Sequence, residues 1–198
     1  MAGLDRDGAE LFFVGIGGST RAGSSTEILV RAVLDRLERA GAGTVLYAGP
    51  ALLLPPYEQT PDCRDAGADL VAEVRRADGL VVGSPGYHGS ISGLVKNALD
   101  FLEELRDDDP PYLDRKAVGC VTTAYGWQAA VNTLTTLRQV VHALRGWPTP
   151  YGIPANVSGG LAREDGSFVD GTLADSVDVI AGQLLDFAVA MRLTAPAG

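Results

Sequence analysis

Residues 17–26 read Gly17-Gly18-Ser19-Thr20-Arg21-Ala22-Gly23-Ser24-Ser25-Thr26 and follow an apolar run, Leu11-Phe12-Phe13-Val14-Gly15-Ile16. A strand that enters a loop of glycines, hydroxyls and one arginine, with an amphipathic helix behind it, is equipped to hold an anion. The N-terminus of that helix exposes unpaired N–H groups and carries partial positive charge. Ser19, Ser24, Ser25 and Thr26 add hydroxyl hydrogen bonds, and Arg21 adds a permanently charged fork for phosphate oxygens. The chemistry implied is phosphate binding.

Spacing narrows whose phosphate it is. Gly18 and Gly23 fit the glycines of a P-loop, but Ser24 stands where its lysine belongs. Gly15 and Gly17 begin a dinucleotide fingerprint that then meets Thr20, and the second strand ends in Gly49-Pro50 without an acid for a ribose. A mononucleotide phosphate held by hydroxyls and Arg21 fits better.

Two further loops carry polar and aromatic side chains. Ser84-Pro85-Gly86-Tyr87-His88-Gly89-Ser90 follows the third apolar run; its glycines let backbone approach a ligand, and its N–H groups and Tyr87 suit the edge and face of a flat heterocycle. Thr123-Ala124-Tyr125-Gly126, leading into Trp127, repeats the theme after the fourth run. Tyr125 and Trp127 have two readings, stacking on a substrate or covering apolar surface at a subunit contact. His88 likewise reads as a ring-edge contact or as a solvent-facing residue contributing only backbone. His142 reads as a packing or surface residue, Cys120 as a small buried hydrophobe, Cys63 as an incidental loop residue, and Lys96 with Asp100 as an ion pair one helical turn apart. Asp107-Asp108-Asp109 lacks the ligand spacing of a calcium site and reads as a solvated loop. No catalytic triad, metal cluster or carboxylate pair is present, so neither a catalytic side chain nor a metal ligand is assigned.

These loops must be positioned by alternating elements. Apolar runs near 11–16, 44–48, 79–83, 117–122 and 151–155 alternate with helical patterns over 27–37, 65–76, 92–105, 127–144 and 173–191. Five strands alternating with five helices predict a doubly wound, parallel α/β sheet with helices on both faces. Ligands of such sheets bind beyond the carboxyl ends of the strands, where the loops after strands one, three and four converge.

The 198 residues are read as one domain, 1–198, without an internal linker or repeat. A net charge of −9 argues against a nucleic-acid surface and makes one well-placed arginine more telling. No apolar stretch approaches the roughly 20 residues of a membrane span. Residues 1–7 do not read as a signal peptide, so a cytoplasmic location is expected.

Together the motifs resemble the NADPH-dependent FMN reductase family of the flavodoxin-like superfamily. Its pattern G-S-x-R-x-x-S-x-[N/T] matches Gly18, Ser19, Arg21, Ser24 and Thr26; P-x-Y-x-x-S-x-x-G-x-x-K-N-x-x-D matches Pro85, Tyr87, Ser90, Gly93, Lys96, Asn97 and Asp100. Leu54-Pro55-Pro56-Tyr57 is similar to the family's Leu-Pro-x-Tyr turn. The resemblance runs from about residue 11 to 157. It implies a flavodoxin-like fold, with FMN phosphate on Ser19, Arg21, Ser24, Ser25 and Thr26. Its ring would lie beside Pro85, Gly86, Tyr87, His88, Gly89 and Ser90, and beside Thr123, Ala124, Tyr125 and Gly126. It further implies NADPH or NADH as donor, a small-molecule acceptor and a homodimer or homotetramer. The function expected is an NAD(P)H-dependent FMN reductase. The alternatives are a tightly FMN-bound reductase or dehydrogenase of a quinone, azo or other small organic compound, and a flavodoxin-like electron carrier. The chain departs from the family at Gly86, where quinone-reducing relatives often carry glutamate, and at Tyr125-Gly126-Trp127, which replaces the usual double glycine. Gly86 is expected to leave space above the ring.

Overall fold

Near-continuous apolar strands need cover on both faces, and the chain supplies it by alternating its main strands with helices. The computed structural model describes residues 10–194; the segment 1–7 read above for a leader lies outside them, as do residues 195–198. In chain order the elements are β1 (Phe12–Gly17), α1 (Ser25–Arg39), β2 (Gly43–Tyr47), α2 (Pro61–Arg76), β3 (Gly79–Tyr87) and β4 (Ser90–Ile91). There follow α3 (Gly93–Asp100), β5 (Ala117–Ala124), α4 (Trp127–Ala143), β6 (Trp147–Pro148), β7 (Ile153–Asn156) and α5 (Thr172–Leu193). The sheet runs β2-β1-β3-β5-β6, with β4 paired to β3 and β7 paired to β5. Every pairing is parallel except that of β3 with β4.

The sheet therefore has seven strands rather than the five expected from sequence. One extra strand comes from the edge segment 147–156, where Pro148, Pro150 and Pro154 cannot donate to a ladder. The edge breaks in two: β6 pairs with Ala117 and Val118, and β7 with Val121 to Ala124. Thr149 bridges the gap, its amide donating to the Val118 carbonyl (3.0 Å) while Arg138 holds the Thr149 carbonyl (2.7 Å). The other extra strand is β4, formed because the loop after β3 is a two-residue hairpin. His88 and Gly89 take φ of +51° and +82° between the closing pair Tyr87 and Ser90. Positive φ at both central residues is the turn that matches the twist of its strands.

Side chains of β1 alternate between two cores. Phe13 joins the layer under α1 and α5, whereas Val14 and Ile16 join the layer under α2, α3 and α4. At the amino end of the sheet Asp78 binds the Phe12 amide (2.8 Å) and the Arg192 guanidinium of α5. This closes the fold far from the loops of interest.

Several local expectations are corrected. α2 begins at Pro61, the first-turn position that proline tolerates, so Cys63 is a buried helical residue rather than a loop residue. The helix expected over 92–105 ends at Asp100 and tightens into a 3₁₀ segment over 101–105. Trp147 does not join Tyr125 and Trp127: it pairs with Ala117, packs against Phe187 (5.2 Å between centroids), and lies roughly 23 Å along β5 from Ala124. Lys96 and Asp100 do form the expected ion pair (2.5 Å). Asp108 is not simply solvated, because Arg75 binds it (2.7 Å).

Cys120 is fully buried in β5, and burial pushes its thiol up to about 12 from the usual 9.0. The native state thus favours the protonated thiol. The resulting stabilisation is complete below pH 9 and is lost as pH rises through 12. We expect denaturant stability to fall above pH 9, and Cys120→Ala to flatten that fall. An identical slope in the variant would refute the assignment.

Candidate functional site

The carboxyl ends of β1, β3 and β5 bring the three loops together. α1 starts with Ser24 as its cap: the Ser24 hydroxyl accepts the Glu27 amide (3.3 Å), and the Glu27 carboxylate accepts the Gly23 amide (3.0 Å). This is close to a capping box. The Ser24 hydroxyl, accepting from within, keeps its proton free to donate outward. Ser19 Oγ accepts the Arg21 amide (3.2 Å), which folds the loop so that Gly18 and Gly23 adopt φ of +107° and +67°. Arg21 is exposed and has no ion-pair partner among the described residues, so its charge is available.

The second loop is held at its base. Fully buried Ser84 accepts the Ser92 amide (2.9 Å), and Ser92 caps α3 by accepting the Val95 amide (3.2 Å). Asn97 accepts the Tyr57 amide (2.9 Å) and donates to the Pro55 carbonyl (2.9 Å), clamping the 54–57 turn to α3. The Tyr57 hydroxyl binds Glu104 (2.6 Å), and burial together with that carboxylate pushes it up to about 12. These residues build the scaffold.

Gly86 has a different role from the one expected. A Cβ there would meet Thr133 Oγ1 of α4 at 2.5 Å and Ala124 Cβ at 3.3 Å. The missing side chain points into packed protein, so the glycine admits α4 rather than leaving space above a ring.

Ser19, Arg21, Ser24, Ser25 and Thr26 line one end of a single cleft of about 130 Å³. Pro85, Gly86, Tyr87, Thr123, Ala124 and Tyr125 line the other. His88, Gly89, Ser90 and Gly126 do not line it: the first three sit at or beside the hairpin tip, and Gly126 caps α4. Val157 completes the wall, its amide bonded to the Ala124 carbonyl (2.8 Å). Thr26 and Thr123 are both buried, and their hydroxyls bond each other at 2.6 Å. This bond ties the start of α1 to the end of β5, joining the two ends of the cleft.

Sequence reasoning missed Glu27, Ser84, Thr133 and Val157. Glu27 was detectable, since Ser24-Ser25-Thr26-Glu27 is the S-x-x-E pattern of a capped helix start. Thr133 and Val157 take part through long-range packing, and Ser84, though named with its loop, gave no signal that it would anchor Ser92.

Among the described residues, those lining the cleft include no carboxylate, histidine or cysteine. No group of three or more metal-ligating side chains occurs among the described residues. Also among the described residues, no helix is long and apolar enough to cross a membrane.

The sequence model of the NADPH-dependent FMN reductase family matches residues 13–158. The chain belongs to that family. An FMN-dependent NADPH-azoreductase of Staphylococcus aureus is 37 % identical over 100 residues, which are 50 % of this chain and 50 % of that one. The chain thus spans about half the length of the curated relatives it matches. Among solved structures, a flavoenzyme NAD(P)H:acceptor oxidoreductase from Paracoccus denitrificans superimposes with a TM-score of 0.70 at 18 % identity, covering 90 % of this chain and 97 % of that one. A short-chain flavodoxin associated with a bacterial microcompartment gives 0.60 at 16 % identity, covering 90 % and 99 %. At these identities the likeness shows the fold, which is flavodoxin-like.

Proposed function

We propose that the protein is an NAD(P)H-dependent flavin oxidoreductase that holds FMN in the cleft between the Arg21 loop and the Tyr87–Tyr125 edge. The observation that carries this reading is the cleft itself. One end offers hydroxyls, helix amides and an unpaired guanidinium; the other is a shelf of backbone and aromatic edge. Its volume suits a phosphate and its polyol arm, with a flat ring resting on the open rim.

Bound FMN would supply a two-electron redox centre between nicotinamide and acceptor. Arg21, Ser19, Ser24 and Ser25 would bind its phosphate, and the Thr26–Thr123 bond would keep that cradle in register with the shelf. Pro85, Gly86 and Ala124 would border the ring. The described residues that line the cleft include no carboxylate, histidine or cysteine that could serve as a general acid. The protein's part is therefore binding and orientation rather than acid catalysis.

A second reading, a reductase of an azo or other organic compound with FMN as resident cofactor, is favoured by the Staphylococcus aureus relative.

The test is to mix purified protein with FMN, add NADPH or NADH in a stopped-flow instrument, and follow bleaching of the flavin. Bleaching and steady nicotinamide oxidation are expected. His88→Ala should retain most of the rate, because His88 lies on the hairpin tip away from the cleft. Stability should change little, because His88 already holds a Cβ at positive φ and alanine keeps the same steric cost. A general acid would instead lose on the order of 10²–10⁴-fold. Such a loss would overturn the orientation-only mechanism.

A further inference from the structure

Large aromatic side chains are normally packed, as Tyr57 is against the Phe101 ring (5.2 Å between centroids). At the cleft, which Tyr87 and Tyr125 line, and at Trp127 two residues beyond Tyr125, they are not. Tyr87 is 55 % exposed, Tyr125 is 84 % exposed and Trp127 is 56 % exposed. Among the described residues neither tyrosine hydroxyl has a hydrogen-bond partner. Val131, one turn along α4 from Trp127, is also exposed and extends the apolar surface.

Two of the rings stand on regular structure, and Tyr125 stands in a two-residue link rather than on a long loop. Tyr87 is paired to Ser90 in the hairpin, Tyr125 directly follows β5, and Trp127 is the first residue of α4. Rings anchored in this way lose little freedom when something stacks on them, which favours binding over folding as the reason for their exposure. Tyr87 and Tyr125 also line the cleft, so the surface continues from the proposed flavin site. Without an acidic or basic side chain other than Arg21 in the cleft, the occupant that fits is flat, aromatic and uncharged over its face.

We propose that Tyr125 and Trp127 form a stacking shelf for a planar aromatic electron acceptor, and so determine which acceptors the protein uses. This rests on the flavin reading above. NAD(P)H supplies the hydride equivalent and solvent the further proton, so that a quinone acceptor leaves as the hydroquinone; the shelf contributes contact and orientation. A compact inorganic acceptor has no use for it.

The experiment compares FMN-loaded wild type with Tyr125→Ser and Trp127→Ser, using NADPH and two acceptors, 2-methyl-1,4-naphthoquinone and ferricyanide. Each variant should raise KM for the quinone about tenfold, the order expected for a lost stacking contact; Trp127→Ser, outside the cleft lining, should leave kcat, FMN affinity and ferricyanide turnover unchanged. Unaltered quinone KM in both variants would overturn the proposal. So would equal losses with both acceptors, or conversion of an oligomer to monomers with loss of both activities, since the rings would then be structural or a subunit contact.

A second measurement does not depend on turnover. With Trp147→Phe as background, Trp127 is the remaining tryptophan, and the quinone should quench its emission saturably with or without FMN. If FMN fails to bind while saturable quenching persists, the flavin reading falls and the shelf stands. Purely collisional quenching overturns the shelf.

Discussion

Replacing Arg21 by alanine lowers the affinity for FMN roughly ten- to hundredfold and leaves that for riboflavin almost unchanged. The guanidinium is exposed at the polyhydroxyl end of the cleft and has no ion-pair partner among the described residues. Its removal therefore strips a ligand contact without orphaning a buried carboxylate. A charge-assisted hydrogen bond contributes about 1.5–3 kcal/mol, and 1.4 kcal/mol is a tenfold change in affinity. Riboflavin lacks the phosphate that the arginine would grip. Arg21→Lys should recover part of the loss, because a point charge remains but the two-pronged geometry does not. Fluorescence titration of both flavins against the three proteins is sufficient. Equal weakening for FMN and riboflavin would mean that Arg21 shapes the loop, and the assignment of the phosphate end would fail.

That the Arg21 loop would line the cleft was legible because the loop is local. Gly18, Ser19, Arg21 and Ser24 lie within seven consecutive residues, and the strand before them and the helix after them announce themselves by period. The order of the main strands was legible for the same reason, since each buried strand is an unbroken apolar run. What stayed hidden depends on distant partners. Nothing near Gly86 reveals that Thr133 packs against it, so the glycine was misread as open space. Nothing near Trp147 reveals that it pairs with the first rather than the last residue of β5. The split edge strand had a signal in its three prolines, which bar a continuous ladder. The hairpin tip also had one in His88-Gly89, because glycine is the common second residue of such a turn. Reading these residues as a ligand loop took its glycines for backbone access when one of them serves the turn.

The other large effect expected is structural in origin but appears at the same site. Gly83 lies on β3 directly beneath α1, and a Cβ there would meet Val30 Cγ2 at 2.4 Å and Thr26 Cγ2 at 2.9 Å. Both neighbours are β-branched residues in the first turns of α1, with little rotamer freedom to retreat. In Gly83→Ala the helix itself must therefore lift from the sheet. Overpacking of this kind costs about 1–3 kcal/mol, which for a domain of this size lowers Tm by roughly 2–4 °C per kcal/mol. The lift also separates Thr26 from Thr123, whose hydroxyls now meet at 2.6 Å, and so moves the phosphate cradle away from the ring shelf. Affinity for FMN should fall more than the loss of one hydrogen bond explains, and hence further than in Thr123→Val, which removes the bond without moving the helix. Gly93→Ala is the control. Gly93 opens α3 with nothing within 4 Å of its missing Cβ, so alanine there should be neutral or slightly stabilising. Calorimetry and FMN titration on the three variants separate these cases. Wild-type Tm and FMN affinity in Gly83→Ala would show that α1 does not sit on β3 at this distance, and the coupling of cradle to shelf would have to be abandoned.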